Sequence, residues 1–424
     1  MCSKFILLGI LPLLFFPFTA AAQFPITRGE GVYADSIAHR DIRSVALCRD
    51  ERQNMPPIIA LRGSEHLQLT FDYLGEEPIS PVYRILHCDP DWRLSDLFPS
   101  DYMVGFEENQ FPTPERSIGT VQPYLHYRLQ LPNADVKLQL AGNYVIQVFD
   151  AYHGGALLFQ RQFALLDERV VLTLEQRPVV GVRRLSHQQV WAHLDVQRIG
   201  RLFDTRDVRL FVQQGWNCGT WQELPMYRWE SSTQLLYGGQ DTALFSGGDE
   251  WHVLDLQTLR TPSQGVRNIV YREDAYQVEV LPDQFSLPGR VKDHATARAD
   301  LDGWCVCGYN TDRLNPGGLK YFPLECEYAW VYFTLKGAVG QTITLEIGDV
   351  AYPMHYNFER NAYEASVYLK QGVYSYRYSS QGVNVEGVSA ETRNDYWALV
   401  YYRERGARHW QLIKVANSVT DFKP

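Results

Sequence analysis

The chain has 424 residues, a formal net charge of −9, and 45% apolar against 21% charged residues, enough to fill several cores. Its Lys and Arg residues form no stripe, which excludes a nucleic-acid backbone as the main partner. Beyond residue 22 no apolar run approaches the roughly 18 residues of a helical membrane span, and irregular, proline-rich spacing argues against a transmembrane barrel.

In chain order, Lys4 precedes an apolar run from Phe5 to Phe18 and then Thr19-Ala20-Ala21-Ala22, the pattern of a secretory leader cleaved before Gln23. Removing 22 residues from 424 leaves 402, and losing Lys4 takes the formal charge from −9 to −10. Cys2 lies ahead of the apolar run, so no lipid anchor is expected. At about 150 residues per domain the mature chain should hold two to three domains, and the grouping of its strands favours three.

The dominant pattern is alternation with period two. Leu67, Leu69, Phe71 and Tyr73 alternate with His66, Gln68, Thr70 and Asp72, as in a strand with one buried and one wet face. The pattern returns at Tyr127 to Leu131, Val190 to Val196, Val208 to Val212, Tyr276 to Val280, Ile343 to Ile347 and Tyr363 to Leu369. No comparable helical stripe occurs, so the fold class is all-β: consecutive immunoglobulin-like or E-set-like antiparallel sandwiches with little helix. The expected division is an N-terminal sandwich over 23–167, a second over 168–285, an extension over 286–323 containing Pro288-Gly289 and Asn315-Pro316-Gly317-Gly318, and a C-terminal sandwich over 324–424.

Six cysteines follow the leader: Cys48, Cys88, Cys218, Cys305, Cys307 and Cys326. They are too sparse to staple the fold, so the cores must carry it. Cys305 and Cys307 share a strand face; with Cys326 and His294 they offer zinc-type ligands, but the spacing matches no paired knuckle, and thiols or one disulfide to Cys326 are favoured. His87-Cys88 invites a thiol-nucleophile reading. Neighbours on a strand point to opposite faces, however, so Cys88 is expected in the core. Asp89 and Asp91 flank Pro90 and lack the further oxygen ligands of a calcium site; a turn is expected. Ser246 to His252 gathers a hydroxyl, carboxylates and an imidazole without the elbow that activates a serine, and Gly247-Gly248 reads as a turn. Trp330, Tyr332, Tyr374, Tyr376, Tyr378, Trp397, Tyr401 and Tyr402 crowd the last quarter, and they are expected to fill the core and line the sheets. Exposed, such rings would stack on glycans, the alternative function.

The stretch Ile85-Leu86-His87-Cys88-Asp89-Pro90-Asp91-Trp92, followed by Leu94, Pro99-Ser100-Asp101-Tyr102 and Gly105-Phe106, resembles the N-terminal hallmark of the type IX secretion system plug proteins. The resemblance continues through Pro123-Tyr124, His126-Tyr127-Arg128, Ala141-Gly142-Asn143-Tyr144, His187-Gln188, Phe245, Leu281-Pro282 and Asn394-Asp395-Tyr396. It departs at Phe245-Ser246-Gly247-Gly248-Asp249, where the family usually has Phe-Pro-Gly-Gly-Asn, and over a shortened region from Gln341 to Tyr356. What the resemblance implies is a periplasmic, non-enzymatic protein that closes the inner end of a large outer-membrane β-barrel translocon. It would be monomeric, without cofactor or metal, and associated with the membrane through that barrel. His87, Cys88, Asp89, Asp91, Trp92, Tyr102, Gly105 and Phe106 carry the hallmark, and Trp92, Tyr102 and Phe106 are the expected partner anchors.

Overall fold

The computed structural model describes residues 33–200, 202, 204–216, 219–247, 251–286, 301–308, 322–337 and 340–419. The leader and its cleavage point at Gln23, Cys2, Cys218, His294, residues 248–250 and the turns at Pro288-Gly289 and Asn315 to Gly318 lie outside them. Strands account for 52% of the described residues and helix for 3%, as the alternation requires. No helix among the described residues is long and apolar enough to cross a membrane.

The first sandwich is built on the hairpin Gly142–Asp150 and Ala156–Leu166. Pro81–Cys88 lies beside the first arm, and Ile58–Ala60 pairs in parallel with the second. The facing sheet runs Ile42–Arg49, Leu67–Tyr73, Leu125–Leu131 and Glu115–Arg116. Phe71, Tyr127, Tyr144, Phe159 and Phe163 fill the space between the sheets, with Phe71 stacked on Tyr127 at 4.7 Å.

The second sandwich sets Val171–Arg177, His187–Asp195, Gln234–Tyr237 and Met226–Trp229 against Gln222–Leu224, Val208–Gln214, Asp395–Tyr402 and Gln411–Val419. Two of its strands therefore come from the end of the chain. The third sandwich lies between these two halves in sequence. Its first sheet centres on Gly372–Ser380, flanked by His252–Asp255 and Thr344–Ile347. Its second runs Val266–Arg272, Ala275–Val280, Tyr328–Lys336, Ala362–Lys370 and His355–Asn357.

This corrects the expected consecutive division. Strands between 252 and 284 share a core with those between 328 and 384, whereas Tyr396, Ala398, Val400 and Ile413 complete the core begun by Val170 and Leu172. Cys305–Cys307, expected in an extension, is an edge strand on Gly372–Ser380. Period-two alternation marks a buried face but carries no record of which strand will cover it.

A second correction concerns Leu67–Tyr73. All seven residues are buried, including Gln68, Thr70 and Asp72 on the side expected to be wet. That side packs against the third sandwich, where Asp72 meets Tyr328 and Lys370.

Candidate functional site

The hallmark residues build a corner. Pro81–Cys88 pairs with Gly142–Asp150 so that Cys88 stands opposite Asn143 and His87 opposite Tyr144. The chain then turns: the Trp92 N–H donates to the Asp89 carbonyl at 2.9 Å, and the Asp89 N–H to the Arg93 carbonyl at 2.8 Å. Trp92 adopts a left-handed φ of +61°, which swings its ring back into the protein.

His87 and Cys88 do point to opposite faces. Cys88 packs with Tyr33, Trp92 and Val145, while His87 lies 5.0 Å from the Tyr144 ring and 5.7 Å from Tyr102. Burial, then Asp89 and Asp91, pushes the Cys88 thiol up to about 12, far from a reactive thiolate. Burial, reinforced by His409, pushes His87 down to about 3, so its ring stays neutral and pairs Nδ1 with the Ser95 hydroxyl at 2.9 Å. Burial and then Asp91 raise Asp89, and Asp91 sits 3.8 Å from Arg93. The turn reading is the one this geometry supports.

Two of the three expected anchors are buried in the protein's own packing. Trp92 is 7% exposed and faces Trp221 of the second sandwich, with ring centres 6.5 Å apart. Tyr102 is 2% exposed and donates its hydroxyl to the Ile85 carbonyl at 2.9 Å. As presented surface they are corrected; only Phe106, 77% exposed, reaches solvent. Aromatic bulk beside turn residues reads alike for an external anchor and for a plug between two sandwiches, which is why sequence could not separate them. Leu94, Phe98 and Val104, which the sequence reading passed over as contact residues, are exposed along the same segment. Gly105 is obligatory there: its φ is +135°, and a Cβ would fall 1.9 Å from the Asp135 carbonyl oxygen.

The corner forms one joint of the molecule. Asn143 accepts from the Tyr401 hydroxyl at 2.8 Å, and Ile58, Ala164, Phe211, Leu399, Tyr401 and Leu412 close a common apolar cluster. The other joint links the first and third sandwiches. Asp72 accepts from the Lys370 ammonium at 2.6 Å and the Tyr328 hydroxyl at 2.7 Å, and its other oxygen lies 2.7 Å from His126 Nδ1. Lys370 also reaches the Pro323 carbonyl at 2.8 Å and lies 4.3 Å from the Tyr124 ring centre. At the same joint Arg161 pairs with Asp349 at 3.5 Å, and burial holds Asp35 beside them up at about 6.

Other candidates resolve as follows. Cys48, Cys88, Cys305, Cys307 and Cys326 are free thiols, with Cys305 and Cys307 raised by burial. Among the described residues, three metal-ligand groups converge at His252, Asp283 and Glu386. There the imidazole bridges two carboxylates, Nε2 to Glu386 at 2.8 Å and Nδ1 to Asp283 at 3.5 Å, so each ring nitrogen already faces a carboxylate partner. The Ser246 segment borders a cleft of about 510 Å³ shared with Arg377, Ser379 and Asn384. Of the C-terminal aromatics, Tyr374, Tyr376, Tyr378 and Tyr401 are buried, while Trp330 and Tyr332 are 41% and 39% exposed.

Comparison with known proteins agrees with this layout. A hypothetical protein from Parabacteroides merdae ATCC 43184, known from its crystal structure, is 27% identical, with a TM-score of 0.82 over 92% of this chain and 100% of that one. No curated protein matches the chain. Residues 42–167, the first sandwich and its hallmark corner, match the model of the type 9 secretion system plug protein first domain. Residues 42–167 thus carry a type 9 secretion system plug protein first domain.

Proposed function

We propose that this protein is a non-enzymatic periplasmic plug, which binds the periplasmic end of the large outer-membrane β-barrel translocon of type IX secretion and closes it. The observation that carries this reading is the plug-protein domain over residues 42–167. The build of the molecule supports it: three cores joined by buried contacts make a preformed body that occludes an opening at little ordering cost. Stable closure needs an interface above about 1,000 Å², which rigid sandwiches of this size supply. Deletion of the gene in cells with a working translocon should sensitise them to bulky antibiotics that the outer membrane normally excludes, and the tagged protein should co-purify with a very large barrel. Unchanged sensitivity together with absence of the barrel from the purified material would sink the proposal.

A second reading, glycan binding, rests on one observation. Trp330 and Tyr332 are exposed on one face of their strand, and Tyr368 lies 4.9 Å from Trp330 between ring centres. Calorimetric titration with cell-wall and storage glycans tests it, since stacking would be lost in Trp330→Ala.

A further inference from the structure

The loop joining Val171–Arg177 to His187–Asp195 carries an exposed tip that is both apolar and cationic. From Pro178 to Leu185 every residue but Val179 is exposed, and Val180, Val182 and Leu185 reach 78%, 100% and 57%. A single exposed valine is ordinary; three large aliphatic side chains on one eight-residue tip are not.

The tip is also cationic. No Asp or Glu occurs between Glu175 and Asp195, while Arg177, Arg183 and Arg184 do, in a chain whose net charge is −9. Arg177 is committed at the root of the loop, to Glu175 at 2.6 Å and over the Trp191 ring at 4.1 Å. Arg183 and Arg184 are exposed and make no ion pair among the described residues.

The tip stands on a fixed base. The Ala390 N–H donates to the Leu185 carbonyl at 2.9 Å, the Gly247 N–H to the Ser186 carbonyl at 2.8 Å, and the His187 N–H to the Arg183 carbonyl at 3.0 Å. Gly181, at φ +89°, makes the bend that sets Val180 and Val182 at its outer end.

We propose that the 178–185 loop docks on an anionic phospholipid surface, with Val180, Val182 and Leu185 entering the headgroup region and Arg183 and Arg184 on lipid phosphates. Shape and charge select this occupant. A convex eight-residue tip is too small for the roughly 800 Å² per partner of a stable protein interface, whereas shallow insertion into a bilayer needs only a few apolar side chains. Guanidinium forks match phosphate oxygens, and attraction to an anionic leaflet adds to the apolar burial. The acidic remainder of the chain is repelled by the same surface, which orients the protein tip first. This goes beyond the plug proposal and stands without it, because a bare bilayer contains no barrel.

The test is vesicle flotation of the full mature chain. Wild type should float with vesicles containing phosphatidylglycerol, should not float with pure phosphatidylcholine, and should be released by raised salt. R183Q/R184Q should weaken binding about thirtyfold, from about 1 kcal/mol per arginine near the surface. V180D/V182D should abolish flotation. Both pairs lie on exposed positions, so unchanged melting temperatures keep the comparison clean. Equal flotation with both vesicle types, none with either, or full flotation of V180D/V182D would each overturn the proposal. So would loss of barrel co-purification in V180D/V182D with vesicle binding intact, which would assign the tip to a protein partner.

Discussion

Where the first sandwich meets the second, rings do the packing: Trp92 against Trp221, Phe211 stacked on Trp221 at 5.1 Å, and Tyr401 behind them. Where it meets the third, a lysine and an aspartate, each about 1% exposed, sit among hydroxyls and imidazole. The apolar joint tolerates small errors, because dispersion and burial are summed over many weak contacts. The polar joint does not, because each buried charge depends on its one counter-charge. Two strand faces of one sandwich thus hold the molecule together by opposite means.

The largest effect should come from breaking the polar joint. Lys370→Ala leaves the buried Asp72 without its cationic partner and should cost about 3–5 kcal/mol in chemical denaturation. The paired change Asp72→Leu with Lys370→Met should recover most of that loss; failure to recover it would show that Tyr328 and His126, not the ion pair, dominate. At the apolar joint, Trp92→Ala should cost about 3 kcal/mol in the same assay, while Phe106→Ala should stay within about 0.5 kcal/mol. If Phe106→Ala abolished barrel co-purification without that stability cost, it would mark Phe106 as a contact residue. Gly105→Ala should cost about 1–3 kcal/mol through its left-handed backbone and the clash with Asp135.

The two joints should respond to pH in opposite senses. His87 is held near 3 in the folded state against an ordinary 6.5, so its contribution is complete above about 6.5 and lost as pH falls towards 3. Asp35 is held near 6 against 3.8, so its contribution is complete below about 3.8 and lost as pH rises through 6. Replacing His87 by Gln should therefore flatten the acid side of the stability profile. Asp35→Asn should instead raise stability near neutral pH. Denaturation midpoints followed from about pH 4 to pH 8 separate the two, since each slope is bounded by about 1.4 kcal/mol per pH unit.

Strand positions such as Leu67 to Tyr73 and Val190 to Val196 were readable because alternation is written residue by residue. The corner was readable too, as a cluster of His87, Cys88, Asp89, Asp91 and Trp92. Its meaning was not. Trp92 and Tyr102 look like contact residues until Trp221, more than a hundred positions away, is seen beside Trp92.

Sequence alone determined the fold class and the opposed directions of His87 and Cys88. Tertiary structure alone decided that Asp395–Tyr402 and Gln411–Val419 return to the second sandwich, that Asp72 is buried, and that only Phe106 of the three anchors is presented. The reason is one of range. Backbone geometry and side-chain direction are set by near neighbours, whereas the choice of covering surface depends on long-range closure of the chain, which no local pattern encodes.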